Sequence, residues 1–136
     1  MPLVVDASIA ASWYFPDEEN ERSDKILDSL EDDTLLVPVL FWFEVRNLLI
    51  MGERRRRSTT RTAAEFLNWL ATLPIQHASL PDSSRGLELA RRHQLTFYDA
   101  AYLELAQRER LPLATLDKQL AAAARAEGVS LIASYQ

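Results

Sequence analysis

Short apolar runs that stop at an acid or a proline, separated by stretches with helical spacing, constrain this 136-residue chain more than any other feature. Leu3-Val4-Val5 stops at Asp6, and Leu35-Leu36-Val37 stops at Pro38. A weaker run covers 75–78, Leu113-Ala114-Thr115 leads to Asp117, and a last run covers 129–133. Runs this short, apolar throughout rather than alternating, read as strands buried on both faces. Between them the 3.6-residue spacing predicts helices over 7–14, 18–30, 40–51, 60–73, 82–93, 96–108 and 117–127. Pro16 and Pro74 stop two of these, and Gly52 and Gly128 sit at the ends of two others. The inward faces are Ile26, Leu27 and Leu30, then Phe66, Leu67, Trp69 and Leu70, then Leu87, Leu89 and Ala90. Strands alternating with helices predict an α/β fold: one domain, 1–136, with a parallel sheet covered by helices on both faces.

In such a sheet, ligands gather beyond the carboxyl ends of the strands. Composition narrows what could bind there. With no cysteine, thiolate metal sites and cysteine nucleophiles are excluded, and His77 and His93 are too few to build a histidine metal site. The three glycines, Gly52, Gly86 and Gly128, are too scattered for a phosphate-cradling loop. No apolar stretch reaches membrane-spanning length, and the start of the chain lacks the basic flank of a signal peptide, so a cytoplasmic protein is expected.

Carboxylates are the remaining candidates. Asp6 and Asp117 stand at strand ends, and Asp99 opens the helix over 96–108. Each has a plainer explanation. Asp6 and Asp117 can cap the helices that follow them, and Thr96 to Asp99 has capping-box spacing. Glu44 is harder to explain away. It lies inside Leu40-Phe41-Trp42-Phe43-Glu44-Val45, and its neighbours at i−4, i−3 and i+4 are Leu40, Phe41 and Leu48. An ionised carboxylate buried there needs a partner from another element. If the four acids converge, with the Ser8 and Thr115 hydroxyls nearby, the result is an all-oxygen site. Such a site suits Mg²⁺ or Mn²⁺ and metal-assisted phosphodiester hydrolysis.

The net charge of −5 is unevenly spread. Residues 1–45 hold eleven acids and two bases, whereas 46–64 hold six arginines and one acid. Those six, Arg46, Arg54, Arg55, Arg56, Arg57 and Arg61, either contact RNA phosphates beside an acidic centre or form a solvated helix end. Trp13, Tyr14 and Phe15 divide similarly between stacking on unpaired bases and ordinary core.

Val4-Val5-Asp6-Ala7-Ser8, the 38–47 segment with Glu44 and Asn47, Phe97-Tyr98-Asp99-Ala100-Ala101-Tyr102-Leu103 and Ala114-Thr115-Leu116-Asp117 resemble the PIN domain in order and spacing. The small size and the pattern at both ends are similar to the VapC toxins of type II toxin–antitoxin modules. The resemblance implies a three-layer α/β/α ribonuclease with a mostly parallel five-stranded sheet in order 3-2-1-4-5. It implies that Asp6, Glu44, Asp99 and Asp117 form a catalytic Mg²⁺ site that also accepts Mn²⁺, with Asn47 and Thr115 in support, to which the reading of the residues adds Ser8. It further implies a homodimer and a VapB-like antitoxin partner. A receiver-like signalling domain is the competing reading, since it too gathers acids around Mg²⁺. It needs a second acid beside Asp6 and a lysine at the last strand end, and the chain has neither there.

Overall fold

The computed structural model describes residues 1–132. Strand β1 (Leu3–Val5) lies between β2 (Leu35–Val37) and β4 (Leu113–Ala114), and β3 (Ile75–His77) flanks β2, giving the order β3-β2-β1-β4. All the pairings are parallel, with Leu3 opposite Leu35, Val5 opposite Ala114 and Leu35 opposite Ile75. The middle strand is apolar at every position because both its faces are covered, and Leu3, Val4 and Val5 are all buried.

Helix α1 (Ala7–Tyr14) follows β1, and a 3₁₀ turn (Pro16–Glu18) leads to α2 (Glu21–Ser29). Next come α3 (Val39–Arg54), α4 (Thr60–Leu70), α5 (Ser83–His93), α6 (Phe97–Glu109) and α7 (Lys118–Ala126). Helix α6 is buried from Ala100 to Ala106. It packs on β1 with α5 and α7 beside it, so it carries apolar residues on more than one face.

Several elements differ from the sequence expectation. The fifth strand, expected over 129–133, is reduced to a parallel bridge between Leu131 and Leu113. It is held by Leu113 N–H to the Ser130 carbonyl at 2.9 Å and Ile132 N–H to the Leu113 carbonyl at 3.0 Å. Its neighbour β4 is two residues long because Thr115 turns away into the site described below, so there is little ladder to extend. The bridge lies on the β4 flank, and Ala133 lies outside the described residues. Helix α2 starts at Glu21 rather than at 18, since the Asn20 side chain caps it by accepting Arg22 N–H at 2.8 Å. Helix α4 stops at Leu70, before Leu73 and Pro74, and Trp69 and Leu87 lie partly in solvent instead of facing inward. Helix α3 also departs from its apolar composition. Phe41, Val45, Leu49 and Gly52 are buried, while Val39, Trp42, Phe43 and Ile50 stand in solvent.

Two glycines have defined work. Gly128 ends α7 with φ +75°, a conformation that costs other residues strain. Gly52 lets α3 approach Phe15, and a Cβ there would stand 2.8 Å from the Phe15 ring. Among the described residues no helix is long and apolar enough to cross a membrane.

Candidate active site

Asp6 is the first residue beyond β1 and is 5% exposed. It caps α1, accepting Ser8 N–H at 3.1 Å, and it also accepts both the Ser8 and Thr115 hydroxyls. Those hydroxyl oxygens accept in turn, Ser8 Oγ from Leu116 N–H at 2.9 Å and Thr115 Oγ1 from Asp117 N–H at 3.0 Å. The ends of β1 and β4 are thereby stitched together around one carboxylate. Burial pushes Asp6 up to about 6, the hydrogen bonds from Ser8 and Thr115 pull the other way, and the charge of Asp99 adds to the rise.

Glu44 is half-buried on α3, and the partner it requires comes from α6. The Tyr102 hydroxyl donates to Glu44 Oε1 at 2.5 Å. Tyr102 is 1% exposed, and burial, then the charge and hydrogen bond of Glu44, raise its hydroxyl further, so it remains a donor. Burial raises Glu44 itself, against the Tyr102 hydrogen bond, with Asp99 contributing. Asp99 occupies the first turn of α6. Thr96 Oγ1 accepts Asp99 N–H at 3.1 Å, so the expected cap exists. The reciprocal half is missing: among the described residues the Asp99 carboxylate accepts no hydrogen bond, which leaves it free to face the other acids. Burial, then the charge of Asp117, raises it. Asp117 caps α7 by accepting Leu120 N–H at 2.9 Å. The capping explanations for Asp6 and Asp117 therefore hold, and both residues also interact through charge with Asp99.

Asp99 is the hub of the four acids, because its charge acts on Asp6 and Glu44 while Asp117 acts on it. Among the described residues no basic side chain forms an ion pair with any of the four. Like charges packed without a counter-ion, one of them nearly fully buried, fit a hard cation with oxygen ligands. The four are linked through the charge of Asp99, and among the described residues no three acidic or histidine side chains form a ready cage.

A model of the PIN domain matches residues 3–126. The chain belongs to the PIN-domain family. It is 33% identical over 125 residues to Ribonuclease VapC3 of Pyrobaculum aerophilum, covering 89% of this chain and 93% of that one. The crystal structure of PAE2754 from Pyrobaculum aerophilum superposes with a TM-score of 0.63 at 27% identity, covering 90% of this chain and 87% of the other. A toxin–antitoxin complex from Klebsiella pneumoniae shares the fold, with a TM-score of 0.57 at 18% identity over 85% and 86% of the two chains. With the PIN family established, the receiver-like reading is set aside.

This PIN domain divides the expected arginine ridge. Arg55 lines the cleft beside Glu44 and Asn47, and Arg54 and Arg56 are exposed. Arg57 turns back over the Phe15 ring and pairs with Asp17 and Glu18 at 2.8 and 2.7 Å. Arg61 pairs with Glu65 along α4 at 3.1 Å. Arg46 points to the far side of α3, stacked 3.6 Å from the Trp42 ring centre, in a pocket with His77. The aromatics after Asp6 are packing residues: Trp13 meets Trp69 edge-on, Tyr14 meets Phe66, and Phe15 is buried. His93 is a partner of Glu127, at 2.6 Å.

The sequence reading gave Tyr102 no role. Its signal was available, since it lies one helical turn after Asp99 on the same helix and Glu44 lacked a partner.

Proposed function

We propose that this PIN domain is a divalent-metal-dependent endoribonuclease and the toxin of a VapBC-type module. The observation that carries this reading is a buried, hydroxyl-held Asp6 under the charge of Asp99, which also acts on Glu44 and is itself acted on by Asp117, with no basic partner for any of them among the described residues. The likeness to Ribonuclease VapC3 supports the activity.

Asp6, Glu44, Asp99 and Asp117 would hold Mg²⁺, or Mn²⁺ in its place. When bound, the ion supplies an activated water and neutralises charge on the scissile phosphate. The chain's own residues position that site. Ser8 and Thr115 fix both oxygens of Asp6, which sets the direction of its remaining lone pairs. The Tyr102 hydroxyl donates to Glu44 Oε1, which fixes the orientation of that carboxylate. Asp117 is anchored by Leu120 N–H, so its position is fixed by the start of α7. Arg55, with Arg54 and Arg56, offers charge to the flanking phosphates.

A homodimer, a VapB-like antitoxin and a cytoplasmic setting complete the proposal. The test is cleavage of single-stranded RNA by the purified protein. Activity should vanish in EDTA, return with Mn²⁺, and be lost in Asp6→Asn and Glu44→Gln. Cleavage that persists in EDTA would defeat the proposal.

A further inference from the structure

Beside Glu44 runs an open cleft of about 740 Å³ between α3 and the start of α6. Its wall holds two aromatic rings that the fold does not bury, Phe43 at 59% exposed and Tyr98 at 62%. Trp42 meets Phe43 at a ring separation of 5.1 Å, and Arg46 stacks on Trp42, so Phe43 is braced from behind. The same wall carries the Asn47 amide and the Arg55 guanidinium. Among the described residues, the Tyr98 hydroxyl, the Asn47 amide and the Arg55 guanidinium have no hydrogen-bond or ion-pair partner. The cleft therefore offers flat apolar faces, one group that both donates and accepts, and one fixed cation, all beside an acid of the candidate site.

An unpaired nucleobase matches this set. It has two π-faces for aromatic stacking, an edge of mixed donors and acceptors that an amide can read, and a phosphate next to it. A second copy of this chain fits less well, because it would bury Glu44, Asn47 and Arg55 together with the apolar surface. We infer that this cleft is the subsite for one unpaired base adjoining the scissile phosphate. The base stacks on Tyr98 and Phe43, Asn47 reads its edge, and Arg55 holds its flanking phosphate. The inference rests on the nuclease reading above and adds to it the residues that choose where the strand is cut.

The test uses a short single-stranded oligoribonucleotide carrying 2-aminopurine at one position, bound with Mg²⁺ to the Asp99→Asn protein. Stacking quenches aminopurine fluorescence, so binding is read without cutting. Adding Tyr98→Ala should weaken binding about 10-fold or more and abolish the quench, and Tyr98→Phe should restore both. In the cleavage-competent protein, Asn47→Ala should flatten the base preference at a single position of the cut site. An unchanged quench and affinity in Tyr98→Ala would overturn the subsite. So would conversion of a dimer to a monomer by Phe43→Ala or Tyr98→Ala in sedimentation, which would give the face to a second copy. A Tyr98-dependent quench in a protein that never cuts RNA would support the subsite and defeat the nuclease reading. Metal-dependent cutting without that quench would defeat the subsite alone.

Discussion

Replacing Asp6 with asparagine should stabilise the metal-free protein. Burial and the nearby Asp99 charge move Asp6 from an ordinary 3.8 to about 6. The native state therefore holds this proton more tightly than the unfolded chain does. By linkage, stability falls as pH rises from about 4 to 6 and stays lowered above that. Two pH units at about 1.4 kcal/mol each make the ionised Asp6 a cost of about 3 kcal/mol at neutral pH. Asparagine keeps one oxygen for Ser8 N–H and turns its amide toward Thr115, whose hydroxyl must then reorient, so part of the gain is forfeited. The expected stabilisation is about 1–3 kcal/mol, or about 4 °C in Tm per kcal/mol for a chain of this size. The assay is thermal unfolding of both proteins at pH 5 and pH 7.5, in EDTA and in Mg²⁺. The variant should melt higher in EDTA, by more at pH 7.5 than at pH 5. Mg²⁺ should raise the wild type and leave the variant nearly unmoved. A variant that melts at or below the wild type in EDTA at pH 7.5 would refute the reasoning.

Glu127 joins the ends of α5 and α7, accepting from Arg85, Arg92 and Gln107 and pairing with His93, and its carboxyl falls to about 2 chiefly through His93 and Arg92. A lowered carboxyl contributes stability above about 4.5 that is lost as pH falls toward 2, so Glu127→Gln should cost about 1–2 kcal/mol in urea unfolding at pH 7 and much less near pH 2. Gly52→Ala should cost about 1–3 kcal/mol by driving a methyl into the Phe15 ring and Ser58 Oγ, each within 3 Å, whereas Gly128→Ala, with φ +75° and open space, should cost about 1 kcal/mol; urea midpoints separate the two. Alanine at Arg54, Arg55 and Arg56 together should flatten the salt dependence of RNA binding by about 0.7 for each phosphate that is no longer neutralised. An unaltered slope would mean that the ridge is only a solvated helix end.

How far the sequence revealed the fold depended on burial. Strands β1, β2 and β4 were legible because a parallel strand covered on both faces must be apolar at every position. The fifth strand was legible only in part: among the described residues the run over 129–133 meets β4 in a single parallel bridge, because β4 itself is short. The apolar surround of Glu44 pointed to burial at that position, yet its neighbours Trp42 and Phe43, and Ile50 further along α3, are exposed. Composition cannot tell a core face from an apolar face turned to a cleft. The acids were legible at strand ends, where chain topology fixes their direction. Tyr102 was legible only through its spacing from Asp99, because a buried tyrosine in an apolar helix otherwise has the pattern of core, and its hydrogen bond spans 58 residues. The arginine run could not be sorted from spacing, because α3 ends at Arg54 and the chain reverses at Arg56, whose φ is +58°.

The most direct test of the central claim is the rate of RNA cleavage against Mn²⁺ concentration for the wild type and for Asp99→Asn. Asp99 is the acid whose charge is felt across the cluster, and its carboxylate accepts no hydrogen bond among the described residues. If the four carboxylates act as one metal site, wild-type cleavage rises from zero and saturates. The variant should fall by more than the roughly 10–100-fold that loss of an outer partner costs, at every Mn²⁺ concentration. A variant that reaches the wild-type plateau, or a wild type that cleaves equally well without metal, would contradict the account.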